Sequence, residues 1–480
     1  MQPLLLLAGL LALPLVLFCA LRWRWGFTGL LVYVPYAGMV SLQLYPAAYP
    51  LLFKDLFFAI PCMLAFFLQG RAALDRAPVP PPVTLAIALF AFIVVAQSAN
   101  PGLYSLPVAI IGIKVTLMYI PLMFVAAGFS DDYRDHVRLM RIMLLVGVPA
   151  CAFGLLCWGL SGVFGYVTTM KAIYGAAAEP ATQGFARFDY GGTFYRINST
   201  FTFPAQYGWF TLSMIVPSYA VAFSDPARFW RLLGKVGFYT VIAASLLSGS
   251  RSMFVFLPLL VMLILLLDGR LSGLMAGLLF APPLALFVLD MAGLDLLKLF
   301  SGVSHLAGVY GENVAVADIF TMAGKYPLGL GTGMASIPAR HVVPESVQLP
   351  VSENYFAKTI IEFGVPGLMV MLVMFATLLV ACFRRFRLCA GQPTRSGAAA
   401  MLGFLTLVGV TGGKSWALDL DPVNVYFWVF AGLLLKLPYL TASAAAPQGA
   451  PQHPFLASLR RQPVLLRDQG PLRPSQHRPR

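Results

Sequence analysis

Charge is what this chain has least of. Only 11% of its 480 residues are Asp, Glu, Lys or Arg, while 59% are hydrophobic and mean hydropathy is +0.79. So little polar surface cannot cover the core of a soluble protein of this length, which excludes a water-soluble enzyme or binding module. Cysteine is scarce as well. Cys19, Cys62, Cys151, Cys157, Cys382 and Cys389 all lie in or beside apolar runs. Neither a disulfide framework nor a metal-ligand spacing is visible, and Cys151 and Cys157, six apart, do not face each other on a helix. Acidic residues are fewer than basic ones, 19 against 33, for a net charge of +14. That excess resembles a nucleic-acid signal only until it is located. Arg460, Arg461, Arg467, Arg473, Arg478 and Arg480, against Asp468, contribute +5, and most of the rest sits in short connections between apolar runs. Such a distribution sets membrane orientation and meets anionic headgroups, so no nucleic-acid partner is expected.

What the chain does have is long apolar runs, each near the roughly 17–25 residues that cross a bilayer. Candidate spans are 3–21, 27–45, 52–68, 83–99, 106–129, 139–161, 205–223, 236–250, 252–267, 271–290, 364–382, 398–413 and 423–440. The expected fold is an all-α integral membrane protein of about 12–13 transmembrane helices. Arg22/Arg24, Arg71/Arg76, Arg134/Arg138/Arg141, Arg228/Arg231/Lys235, Arg270 and Arg384/Arg385/Arg387/Arg395 all fall on one side, read as cytoplasmic. The first run lacks a basic stretch before it, and Arg22 and Arg24 follow it. It therefore reads as a membrane helix with its N-terminus outside rather than as a signal peptide. The organisation is N-terminal helices over 1–161, a long outward loop over 162–204 and central helices over 205–290. A second, partly helical outward loop over 291–363, C-terminal helices over 364–440 and a disordered cytoplasmic tail over 441–480 complete it. Both loops exceed simple connectors and are rich in glycine and aromatics, so each is expected to fold. No internal repeat is visible, against inverted-repeat transporters.

Several residues in these loops suit chemistry. Arg251, in LLSGSRSMFVF, occupies a tight turn between two apolar runs on the side where positive charge is disfavoured, and so reads as an anion-binding residue. Arg196, in YRINSTFTFPAQYGWF, is an arginine just before a span, suited to bidentate contact with phosphate. Lys114 is an intramembrane cation, hence a candidate for a lipid phosphate. The run YPLGLGTGMASIPARH holds Gly329, Gly331 and Gly333, which allow close backbone approach, then Arg340 and His341. Ala315 to Lys325, ahead of this run, reads as a short amphipathic helix. His341 and His305 are the outward histidines, and either can be a general base or a bland surface residue. In VSENYFAKTIIEFGVPGL a helix from about Ser352 puts Asn354, Lys358 and Glu362 on one stripe, with Phe356, Ile360 and Phe363 on another. Gly364 and Pro366 mark a bend. The stripe reads as a charged, amphipathic segment at the lipid–water interface. Glu353 can serve as base to a sugar hydroxyl or simply complement the helix dipole. GGKS at Gly412–Ser415 lacks the first glycine of a phosphate-binding loop, and Asn198-Ser199-Thr200 is a sequon without further meaning.

Three of these stretches resemble the bacterial O-antigen polymerase/O-antigen ligase family of polytopic membrane glycosyltransferases. RINSTFTFPAQYGWF is similar to the family's Arg, Ser-Thr-Phe and Pro before a membrane helix. LLSGSRSMFVFLPLL is similar to its Ser-Arg turn between spans. YPLGLGTG followed by SENYFAKTIIEFGVPGL resembles its glycine-rich loop and its polar-Asn-x-Tyr, Glu-x-Gly-x-x-Gly helix. Together they cover about residues 190–380, in the family's order. The resemblance implies a polyprenyl-diphosphate-linked glycan donor and a glycan acceptor, with no cofactor and no metal, at the periplasmic face of the bacterial inner membrane. Arg251, Arg196, Lys114 and Arg340 would hold the diphosphate, Asn354, Tyr355 and Glu362 the sugars, and Glu353 or His341 would act as base. Other polysaccharide assembly proteins are further expected partners. The ligase branch usually carries a His before the helix-entry Asn, whereas here Ser352 and Glu353 precede Asn354. That departure leans towards a polymerase of surface polysaccharide or exopolysaccharide. A ligase acting on lipid A core or protein, and a lipid-linked glycan transporter, are the alternatives.

Overall fold

A computed structural model describes residues 13–45, 49–179, 187–189, 193–250, 252–270, 316–344, 346–350, 352, 354–413 and 415–445. Arg251, Glu353, His305, the candidate span 271–290 and the tail beyond 445 lie outside the described residues, as does the His341 side chain. The protein is an all-α integral membrane protein. Among the described residues six helices are long and apolar enough to cross a membrane: Trp23–Gln43, Pro81–Ala99, Leu106–Phe129, Tyr133–Phe164, Tyr355–Leu388 and Val423–Leu440. Asp55–Phe67, Met253–Asp268 and Arg395–Thr411 are shorter apolar helices.

In chain order, α1 (Trp23–Tyr33) runs through a 3-10 turn into α2 (Ala37–Gln43). A π-turn at Asp55–Ala59 leads into α3 (Ile60–Phe67), followed by the short α4 (Arg71–Arg76). Next come α5 (Pro81–Ala96), α6 (Leu106–Leu117), α7 (Leu122–Phe129), α8 (Tyr133–Phe164) and α9 (Tyr166–Tyr174). A two-stranded antiparallel ribbon, β1 (Arg187–Asp189) and β2 (Thr193–Tyr195), pairs Phe188 with Phe194. Then follow α10 (Pro204–Ser224), α11 (Arg228–Leu246), α12 (Met253–Asp268), α13 (Val316–Lys325), α14 (Tyr355–Leu388), α15 (Arg395–Thr411) and α16 (Val423–Ala445).

Several helices outrun their apolar cores. α8 starts at Tyr133 and α11 at Arg228, six and eight residues ahead of the expected 139 and 236. α14 continues through Arg384, Arg385 and Arg387. Arginine ends an apolar run but not a helix, because its straight side chain costs little helical propensity. Asp132 fixes the start of α8 by accepting from Asp135 N–H at 2.9 Å. The expected 106–129 span breaks at Met118–Pro121 into α6 and α7, where Pro121 has no N–H to offer.

The centre is α10, buried on every side from Tyr207 to Ala222 and packed on α8, α11 and α15. Small residues permit the close approaches. A Cβ on Gly234 would lie 2.4 Å from Ala222 N, and one on Gly432 would lie 2.1 Å from Met123 O. Outer helices show apolar side chains instead, among them Leu85, Leu89 and Phe92 on α5, as a lipid-facing surface requires. Basic connections contact one another at one end: Arg24 pairs with Asp131 at 2.5 Å, Arg141 with Asp225 at 2.7 Å, and Lys436 donates to Arg76 O at 2.9 Å. Of the arginines grouped in the sequence, Arg24, Arg76 and Arg141 take part in these contacts.

Candidate functional site

At the other end, two pairs of chain segments interlock. The first pair joins the glycine-rich run to α14. Pro366 has no N–H, so the carbonyl of Glu362 one turn earlier is left without its helical donor. Gly364 takes φ 70°, which breaks the helix. Val365 N–H turns away to Pro327 O at 2.9 Å, freeing Ile361 O. Both carbonyls are taken by the glycine run: Leu330 N–H donates to Ile361 O at 2.8 Å and Gly331 N–H to Glu362 O at 3.1 Å. The bend expected at Gly364 and Pro366 is thus a docking slot for residues 327–331. Glycine is required for the fit. A Cβ on Gly329, at φ 78°, would lie 2.7 Å from Glu362 O. Gly333, at φ 88°, presses against α6, where a Cβ would stand 2.2 Å from Val108 O. The loop is also tied to α5, since Gln97 Nε2 donates to Leu328 O at 2.7 Å and Thr332 Oγ1 to Val94 O at 2.5 Å.

The second pair joins the segment at Arg196 to the turn between α11 and α12. Ile197 N–H donates to Ser248 O at 3.1 Å. Gly249 has φ 75°, and a Cβ there would lie 2.5 Å from Tyr195 O and 2.7 Å from Arg196 Cα. Arg196, half-buried, therefore lies against the turn that leads into Arg251. Tyr166 stacks on Tyr195 with ring centroids 5.5 Å apart, which covers this strand. Burial pushes the Tyr166 phenol up to about 12, with the Arg196 charge opposing the shift. Asn198 is fully buried and donates to Thr202 O at 3.1 Å, so the sequon is a structural corner.

The stripe of α14 that reads as interfacial faces inward instead. Asn354 caps the helix, its Oδ1 accepting from Phe356 N–H at 2.9 Å and Ala357 N–H at 3.1 Å. Lys358, at 5% side-chain exposure, pairs with Asp419 and stands 3.8 Å from the fully enclosed Glu362. Glu362 Oε1 accepts from Ala335 N–H at 3.2 Å. In this conformation Asn354, Tyr355 and Glu362 are buried, and the contacts they make are to the protein. The physical reason is charge pairing: Asp419, 61 positions on and outside the pattern of α14 itself, gives Lys358 a buried partner.

Lys114 also has a partner. Its Nζ lies 2.7 Å from Asp55 Oδ2, and Asp55 Oδ1 accepts from Tyr119 OH at 2.5 Å and from Lys54 at 3.1 Å. Lys54 in turn reaches Asp421 at 2.9 Å. Lys114 keeps 32% side-chain exposure and so can still meet a ligand. Arg340 is exposed on the 3-10 turn Pro338–Val342, which packs on α6. Lys54, Asp55, Asp419 and Asp421 were not among the sequence candidates. The signal was present, because a Lys-Asp pair opening one apolar run and LDLDP preceding another are charges at membrane depth.

Chemically, the far end offers cations for an anionic group: Arg196, Arg340 and Lys114. No known family model matches the chain, nor does any curated protein sequence.

Proposed function

We propose that the chain is a glycosyltransferase that polymerises polyprenyl-diphosphate-linked oligosaccharide units into a surface polysaccharide or exopolysaccharide. It would work at the periplasmic face of the bacterial inner membrane. One observation carries this reading: the separate stretches that resemble polymerases and ligases meet in pairs, 327–335 with 361–365 and 195–197 with 248–249. In the proposed reaction an acceptor sugar hydroxyl attacks the anomeric carbon of the donor. The bond from that carbon to the diphosphate oxygen breaks, and the polyprenyl diphosphate leaves as an anion. Arg196 and Arg251 stabilise its charge, with Lys114 and Arg340 as further cations. The hydroxyl proton passes to Glu353 or His341. Ser352 and Glu353 ahead of Asn354 favour the polymerase branch over a ligase.

The test is the surface glycan of a deletion host carrying Arg251→Ala or Arg196→Ala. Loss of polymer with accumulation of single lipid-linked units supports a polymerase. Accumulation of full-length lipid-linked polymer points to a ligase, and accumulation of donor on the cytoplasmic leaflet to a transporter. Normal chain length and amount in both variants rejects the proposal.

A further inference from the structure

A cavity of about 440 Å³ opens at the basic end, and none of the site candidates above lines it. Leu21, Arg22, Trp23, Arg24, Trp25, Arg76 and Asp131 line it. Three arginines face one carboxylate. Asp131 takes Arg24 at 2.5 Å, and Arg24 also lies over the Trp23 ring at 5.4 Å. Arg76 donates to the neutral Gln69 Oε1 at 3.1 Å, and among the described residues no carboxylate forms an ion pair with it. Among the described residues no acceptor takes the Arg22 guanidinium. Lys436 adds a fourth cation within electrostatic reach of Arg24, Arg76 and Asp131. The rim differs in kind. Leu21 is 78% exposed, Trp25 59% and nearby Leu68 84%, so apolar surface flanks the basic basin. A basin that wants an anion, edged by side chains that want hydrocarbon, matches a molecule with a phosphodiester head and acyl chains. The volume falls within the range of small-molecule sites.

We propose that this cavity is a binding site for the phosphodiester headgroup of an anionic glycerophospholipid. Arg22 and Arg76 are the main phosphate ligands, and Trp25 and Leu21 lie against the glycerol and upper acyl chains. The proposal depends on membrane residence alone and not on the reaction assigned above.

Native mass spectrometry of the detergent-purified full chain tests it, with phosphatidylglycerol, phosphatidylcholine and glycerol 3-phosphate as probes. Phosphatidylglycerol should be retained in preference to phosphatidylcholine. R22Q/R76Q should weaken that retention on the order of tenfold or more, and R22K/R76K should largely restore it. The control R384Q/R387Q removes the same charge from exposed positions elsewhere at the basic end and should change retention little. Equal losses in the two Gln doubles would mean diffuse surface charge and overturn the site. Displacement by glycerol 3-phosphate at concentrations equal to those of phosphatidylglycerol would mean a free-anion site and overturn the lipid assignment. Equal retention of phosphatidylcholine would do the same. Unchanged gel-filtration profiles exclude misfolding as the cause of a loss.

Discussion

Lys358→Met should be among the most damaging single changes in α14, and markedly worse than Asp419→Asn. Three ionisable groups share one dry site: side-chain exposures are 5% for Lys358, 6% for Asp419 and 0% for Glu362. Removing one partner from a buried ion pair costs about 3–5 kcal/mol, because the other charge remains without compensation. The two substitutions do not leave equal remainders. Without Lys358, two carboxylates face each other with no cation, and the cost lies at the upper end, about 5 kcal/mol. Without the Asp419 charge, Lys358 still has Glu362 at 3.8 Å, so the cost falls to about 1–3 kcal/mol. The triple change Lys358→Met, Glu362→Gln, Asp419→Asn leaves no buried charge and keeps an acceptor oxygen at residue 362 for Ala335 N–H. It should recover much of the loss. Thermal unfolding of the detergent-solubilised variants, followed by intrinsic tryptophan fluorescence, gives the order. An Asp419→Asn protein as unstable as Lys358→Met, or a triple variant less stable than Lys358→Met, would refute the reasoning.

Gly333→Ala should sharply reduce the yield of folded protein, since φ 88° and a Cβ 2.2 Å from Val108 O offer no relaxed position. Gly324→Ala, in α13 with nothing within 4 Å of its Cβ, should leave the melting midpoint equal or slightly higher; midpoints for the pair separate local crowding from a general intolerance of alanine. All six cysteines are buried, so maleimide should label none of them in the folded protein and should label them after denaturation in SDS, as a mass shift reads directly. Gly249→Ala should impair surface-glycan synthesis as strongly as Arg196→Ala, because the added methyl displaces the Arg196 backbone; normal glycan from Gly249→Ala with lost glycan from Arg196→Ala would show that this turn does not position the arginine.

The helical membrane architecture was legible because apolar runs and clustered arginines are local signals, and bilayer thickness fixes their length. Helix ends were less legible wherever an arginine stretch continues the helix beyond the apolar run, as at Arg228 and Arg384. The ribbon at 187–195 escaped notice because three-residue strands are too short to establish an alternating period. The glycine run was readable as a place of close backbone approach. What it approaches was not, since the slot depends on carbonyls freed some thirty-five residues later by Pro366. The stripe of Asn354, Lys358 and Glu362 was visible at its helical spacing, but its direction was misjudged. A charged stripe faces water unless buried counter-charge exists, and here that counter-charge, Asp419, lies 61 positions on.

The same geometry sorts the sequence candidates by whether a ligand can touch them. Asn354, Tyr355, Lys358 and Glu362 are enclosed and form a frame in which Glu362 holds the glycine run through Ala335 N–H, Lys358 pairs with Asp419 and Asn354 caps the helix. Arg340 is exposed, Arg196 half-buried and Lys114 32% exposed even while paired with Asp55, so each keeps surface that an anionic substrate can reach. Loss of activity alone therefore cannot identify a chemical residue among them, because collapse of the frame abolishes activity too. A frame residue should lower thermal stability and activity together. An arginine that touches only substrate should leave stability intact while activity falls. On this criterion Arg340→Ala is the cleanest probe at the far end, for nothing in the protein's packing depends on its guanidinium among the described residues.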